Sequence, residues 1–154
     1  MPETAPWNAL RAAEIIAAHV MRPGPMLPIL HALQDAFGCV PEPATAAIAE
    51  ALNLTRAEVH GVITFYHDFR RTPPGQRVLR ICRAEACQAM GGAELGAQVL
   101  ARLGIDWGET TADGTLTVEA VYCLGLCACA PAAMLNGEPI GRLSDASLQA
   151  VLAE

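Results

Sequence analysis

Val78-Leu79-Arg80-Ile81-Cys82-Arg83-Ala84-Glu85-Ala86-Cys87-Gln88-Ala89-Met90-Gly91-Gly92 is the stretch that decides how the rest of the chain is read. Val78 to Cys82 is a short apolar run, long enough for a buried strand and too short for a helix. It ends on a cysteine, and a second cysteine follows after four intervening residues. Downstream, Gly96, Val99, Leu100 and Leu103 recur at helical spacing and Gly104 closes that helix. Asp113-Gly114 is a turn. Leu116, Val118 and Ala120 then alternate with Thr115, Thr117 and Glu119, the pattern of a half-buried strand. A second pair of cysteines, Cys123 and Cys127, follows that strand with three residues between them. Asn136-Gly137 favours a tight hairpin between two further short strands. Ser144 is placed to cap a last helix with Leu148, Val151 and Leu152 inward. The order strand, helix, strand, hairpin, helix predicts a small α/β or α+β sandwich.

Upstream of Thr72-Pro73-Pro74-Gly75, which no helix can run through, the pattern is helical. Leu10, Ala13, Ala17 and Val20 recur at helical spacing, and Pro23 and Pro25 break the run. Leu30, Leu33 and Phe37 form one face of a second helix, with Pro28 in its first turn and Gly38 at its stop. Pro43 opens a third, with Ala44, Ala47, Ile48 and Ala51 aligned and Asn53 at the end. Thr55 and Glu58 fit a capping box, with Leu54 and Val59 as its hydrophobic staple, and this fourth helix is expected to reach about Phe65. The expected organisation is a helical region over 1–71 and an α/β domain over 72–154.

Composition narrows the function classes. In 154 residues, 53% hydrophobic and 17% charged, there is material for a sizeable core and little for disorder. The net charge of -6, with no long basic stripe, argues against nucleic acid as a partner. The longest uncharged run, Ala120 to Gly137, is about 18 residues against the roughly 20 that span a bilayer, and cysteine, glycine, asparagine and proline interrupt it. No direct membrane insertion is expected. Met1-Pro2-Glu3-Thr4 has no basic start or apolar run of a signal peptide, so the expectation is a cytoplasmic, reducing setting. Grouped cysteines there read as metal ligands or redox thiols before disulfides.

The two cysteine pairs lie 35 residues apart, each just after an expected strand. Loops leaving one edge of a sheet can meet over a small object, so Cys82, Cys87, Cys123 and Cys127 are the candidate metal and cofactor ligands. Zinc takes four thiolates about one point, usually from knuckles enclosing two residues. Spacings of four and three are looser and suit the two separated thiolate pairs of a [2Fe–2S] unit. A zinc-stabilised structural module and a thiol–disulfide protein remain as rivals, although Cys-x-x-Cys at a helix start is absent. Gly91, Gly92 and Gly125 let backbone approach sulfur, and Arg83 adds a cation beside it. Cys129 is an alternative to Cys127 but reads better as a small buried thiol, and Cys39 as packing.

These residues resemble a known family. Cys82-x4-Cys87-x3-Gly91, then Cys123-Leu124-Gly125-x-Cys127 and Pro131, is similar to the thioredoxin-like [2Fe–2S] ferredoxins, among them the 24-kDa subunit of respiratory NADH dehydrogenase, NuoE in bacteria. Leu27 to Gln34, Phe37-Gly38, Ile48 to Asn53 and Glu58 to Tyr66 resemble that family's helical N-terminal region. Related subunits occur in NAD-reducing hydrogenases and NAD-dependent formate dehydrogenases. The loop Arg83-Ala84-Glu85-Ala86 and the short tail after Gly141 look closest to the gamma subunit of soluble NAD-dependent formate dehydrogenases.

The resemblance implies an α+β chain: an N-terminal helical bundle followed by a thioredoxin-like α/β domain with a mixed four-stranded sheet. It implies one [2Fe–2S] cluster on Cys82, Cys87, Cys123 and Cys127, with no catalytic residue of its own. The implied partners are an FMN/NAD-binding flavoprotein subunit (NuoF-like) and further subunits of the complex. A flavin splits the electron pair of a hydride into the single electrons that such a cluster accepts.

Other candidates read plainly. His31, His60 and His67 lie far in sequence from the cysteines and are expected in a core or an interface. Phe65-Tyr66-His67-Asp68-Phe69-Arg70 is either a docking patch or the packed end of a helix. Trp7 and Trp107 carry no signal. No G-x-G-x-x-G or G-x-x-x-x-G-K-[ST] stretch is present, so nucleotide binding is not expected of this chain.

Overall fold

A computed structural model of the chain describes residues 6–153. The chain divides into two compact units, one running up to Pro73 and the other from Pro74.

The first unit holds four helices: α1 (Ala9–His19), α2 (Met26–Phe37), α3 (Glu42–Leu52) and α4 (Arg56–Phe65). Ile29, Leu30, Leu33, Phe37, Ile48, Val59 and Ile63 make its core. Each such side chain contributes roughly 1.5–3 kcal/mol by leaving water. The α2 and α3 faces are those expected, except that Ala51 is exposed. Gly38 and Asn53 end these helices in the left-handed region. The α1 face differs from the expected one. Ala12 and Ile16 point inward, while Leu10 is 79% exposed and Ala13 and Ala17 face solvent. Alanine carries too little apolar area to orient a helix, so the two isoleucines, Ile15 and Ile16, set its rotation.

Thr55 caps α4 as expected. Its Oγ1 accepts from the Glu58 N–H at 3.2 Å, and its own N–H donates to Glu58 Oε2 at 2.8 Å. The segment after α4 is tied back by Gln34, which no local pattern reveals. Gln34 Nε2 donates to Asp68 O at 2.8 Å, and its Oε1 accepts from the Arg70 N–H at 2.7 Å. Phe69 is thereby held in the helical core.

The second unit runs β1 (Arg77–Cys82), α5 (Glu85–Ala89), α6 (Gly92–Leu103), β2 (Leu116–Val121), β3 (Ala133–Leu135), β4 (Glu138–Ile140) and α7 (Asp145–Ala153). The sheet is mixed and four-stranded, in the order β2-β1-β3-β4. β1 runs parallel to β2 and antiparallel to β3. Leu79, Ile81, Leu116 and Val118 lie in one cluster with Val99 of α6 and with Leu148 and Val151 of α7, so both helices cover the same sheet face.

Asn136 and Gly137 form the expected hairpin turn, both with positive φ (51° and 94°), as a two-residue turn of this hand requires. Asn136 also anchors the turn sideways, its Oδ1 accepting from the Val78 N–H at 2.9 Å. β2 is less open than its alternation predicts. Thr117 is buried because its hydroxyl meets the Gly75 N–H and the Thr110 hydroxyl, both at 2.7 Å. Among the described residues, no helix is long and apolar enough to cross a membrane.

Candidate metal centre

Parallel pairing places Cys82 directly opposite Val121, so β1 and β2 end level. The chain then turns out of the sheet twice at the same edge. After β1, the Arg83 N–H donates to Val121 O at 2.7 Å, and the five-residue α5 carries Cys87. After β2, Cys123 adopts φ 106°, and a 3-10 turn over Cys127–Cys129 closes the loop. Cys82 and Cys87 sit in an apolar pocket with Ala132, only 3% and 2% exposed, and Leu124, Leu126 and Val121 flank it. Cys123 and Cys127 are exposed. One pair is therefore a floor and the other a rim.

Backbone crowds around the sulfurs. A Cβ on Gly92 would stand 2.6 Å from Cys87 O, so only glycine lets α6 start this close to the loop. The Gly125 N–H points at Cys123 Sγ, 3.4 Å away.

The four thiols sense one another. Burial pushes the Cys82 thiol up, but the Ala84 N–H, the Cys87 thiol and the N–H groups of Leu124 and Cys123 outweigh it and bring Cys82 below its ordinary value. Cys87 is raised, first by burial, then by its contact with Cys82, with the Ala132 N–H opposing and the charges of Cys82 and Cys127 adding. Cys127 is raised, first by its contact with the Cys123 thiol and then by that neighbour's charge.

Such a site suits an anionic two-metal core. The Cys123 and Cys127 sulfurs are 3.9 Å apart. Two thiolates at about 2.3 Å from one tetrahedral metal lie about 3.8 Å apart. No three His, Cys, Asp or Glu side chains among the described residues converge as a single ion requires. The sulfurs come instead as two pairs, one for each metal of a binuclear centre. The N–H groups aimed at them supply the donors that a negatively charged cluster needs in an apolar setting.

The family model described as thioredoxin-like [2Fe-2S] ferredoxin matches residues 12–154. The chain belongs to that family. As a thioredoxin-like [2Fe–2S] ferredoxin it carries a [2Fe–2S] cluster, which decides between the iron and zinc readings that spacing leaves open. It is 38% identical over 112 residues to the NuoE subunit of NADH-quinone oxidoreductase from Pseudomonas aeruginosa, covering 73% of this chain and 68% of the relative. Against NADP-reducing hydrogenase subunit HndA of Solidesulfovibrio fructosivorans it is 28% identical, covering 92% and 82%. Among solved structures, a crystal structure of an NAD+-reducing [NiFe]-hydrogenase in the air-oxidized state matches with a TM-score of 0.68 and 33% identity. That match covers 80% of this ferredoxin but only 22% of the hydrogenase chain. In the Mycobacterium tuberculosis counterpart of the Pseudomonas subunit, 50% of the length is spanned.

Other expected features fall elsewhere. Cys129 turns away from the pairs: a Cβ on Gly141 would stand 2.8 Å from its Cβ. Cys39 is buried, and burial raises its thiol. His31, His60 and His67 are exposed rather than in the core. His31 lies against Phe69 with ring centroids 5.0 Å apart. In the 65–70 patch, Phe69 belongs to the helical core, whereas Phe65 is 72% exposed. Trp7 packs on Phe37, with centroids 5.3 Å apart. Trp107, expected to be uninformative, meets both Arg83 and Gly96.

Proposed function

We propose that this ferredoxin is the one-electron station beside an FMN/NAD-binding flavoprotein subunit in an NAD-linked oxidoreductase complex, with Cys82 and Cys87 holding one iron and Cys123 and Cys127 the other. The observation that carries the reading is the floor-and-rim arrangement. Two buried thiols anchor the centre in apolar surroundings, and two exposed thiols bring it to the protein surface. When bound, a [2Fe–2S] centre supplies reversible uptake of a single electron. The chain's own contribution is to hold the centre, to aim N–H donors at its ligands and to leave one side of it open to a partner.

The relatives' names favour an NADH:quinone oxidoreductase or an NAD-reducing hydrogenase as the parent complex. The formate dehydrogenase reading rests on the Cys82–Cys87 loop alone. In either parent the chain is a cytoplasmic-side subunit without hydride chemistry of its own.

The test is anaerobic purification with analysis of iron, acid-labile sulfide and zinc, and electron-spin spectra before and after dithionite. Two irons and two sulfides per chain with a signal that appears on reduction support the proposal. Stoichiometric zinc would sink it. NADH should reduce the isolated chain only when the flavoprotein is added. Turnover of the native complex with hydrogen, quinone or formate identifies the parent.

A further inference from the structure

The residue after Cys82 carries a positive charge, and the fold fixes where that charge sits. The Arg83 guanidinium carbon lies 5.1 Å from the centroid of the Trp107 ring. The Arg83 backbone is held on both sides. Its N–H donates to Val121 O at 2.7 Å, at the end of β2, and its carbonyl accepts from Gln88 Nε2 at 2.6 Å, one residue beyond Cys87. Arg83 is thus tied to the strand that leads into the rim loop and to the helix that carries the floor cysteine.

The indole is seated just as firmly. A Cβ on Gly96 would come 3.0 Å from Trp107 Cζ2 and 3.1 Å from Cη2, so α6 leaves out a side chain where the ring rests. The loop carrying Trp107 is closed by the Gly108 N–H on Val118 O at 2.8 Å and by the Asp106 N–H on Glu109 Oε2 at 2.8 Å. Gly96, Trp107 and Arg83 form a stack from helix to loop to cysteine arm.

We propose that Trp107 is a positioning residue that pins the Arg83 charge beside the Cys82–Cys87 arm and thereby raises the reduction potential of the cluster. An arginine swinging in water is screened, and its field averages out within a Debye length. One held on an indole face is partly desolvated and keeps a fixed direction to the centre. Reduction adds a negative charge, so a fixed cation stabilises the reduced form more than the oxidised one. Net charge and local polarity are among the quantities that set such potentials.

This inference rests on the ligand assignment above, and its test separates the two. The midpoint potential is measured by redox titration of the electron-spin signal in the wild type and in R83Q, R83K, W107L, W107F and R83Q/W107L, with iron and sulfide assayed in each. R83Q should shift the potential downward, and R83K should shift it less. W107L should shift it in the same direction and W107F should restore most of the difference. The double variant should sit no lower than R83Q alone, because the ring acts only through the arginine. A fully loaded R83Q with an unchanged potential overturns the proposal. So does a W107L shift that persists undiminished in the R83Q background. Should W107L fail to fold, R83Q and R83K, at a half-exposed site, decide alone. Absence of iron in the wild type would overturn the ligand assignment instead.

Discussion

Cys82 and Val121 face each other at the last rung of the parallel β1–β2 ladder. A parallel ladder gives both strands the same exit edge, so the two cysteine loops start level and on the same side. The 35 residues between the pairs are spent on one helix, one loop and one return strand. That relationship converts a long sequence gap into a single site.

Cys127 and Cys129 should behave oppositely when replaced by serine. They lie two positions apart in a 3-10 turn, which at three residues per turn puts their side chains about 240° apart around the axis. Cys127 Sγ lies 3.9 Å from Cys123 Sγ, whereas Cys129 packs toward Gly141 and its carbonyl accepts from the Arg142 N–H at 2.6 Å. C127S is expected to lose most of its iron and sulfide, and C129S to keep both. The reverse result would make Cys129 the ligand.

The cysteine loops are legible in the sequence because their information is local: an apolar run ends on cysteine, twice. So are the Thr55–Glu58 cap and the Asn136-Gly137 turn, each of which needs only its near neighbours. What escapes such reading is tertiary. Gln34 clamps a segment 34 residues away, and Trp107 gains its role from a missing side chain at Gly96. Neither leaves a periodic trace. The α1 face misleads because alanine fits an inward or an outward position equally well.

Gly92→Ala should destabilise the second unit and impair cluster loading. The new Cβ would lie 2.6 Å from Cys87 O and 3.1 Å from its carbonyl carbon, and backbone cannot swing aside. Overpacking of this kind costs roughly 1–3 kcal/mol. Alanine's better helix propensity returns at most about 1 kcal/mol. Urea unfolding of the cluster-free protein and iron analysis of the loaded protein should both register the change. Equal loading with raised stability would show that the loop has room to move.

Thr55→Ala tests the helical unit. Loss of an N-cap side chain costs about 1 kcal/mol, read from the denaturation midpoint, and Thr55→Ser should recover most of it. The Glu58 carboxyl offers a second readout. It is held below its ordinary 4.5, first by the N–H of residue 55 and then by the Thr55 hydroxyl. Alanine keeps the N–H and removes the hydroxyl, so the Glu58 titration midpoint should rise part of the way back. No change in either measurement would mean that the cap is made in some other way.

Asp113 should report on acid in the β2 approach. Its Oδ1 accepts from the Thr111 hydroxyl at 2.5 Å, the Thr115 N–H at 3.0 Å and the Thr115 hydroxyl at 2.8 Å. These bonds favour the charged form and bring the carboxyl down from 3.8 to about 2, with the Thr111 hydroxyl as the largest cause. The folded value lies below the unfolded one, so the turn's contribution is complete above the unfolded value, shrinks as pH falls, and is gone below about 2. Carboxyl-detected NMR titration should therefore place the midpoint of Asp113 near 2. In Thr111→Val it should move up toward the ordinary value. The stability gap between the wild type and Asp113→Ala should be constant from neutral pH down to about 5 and narrow below about pH 4. A wild-type midpoint of about 4, the ordinary range for such a carboxyl, would show that the three hydrogen bonds are not held in solution, and the gap would then carry no pH dependence from this carboxylate.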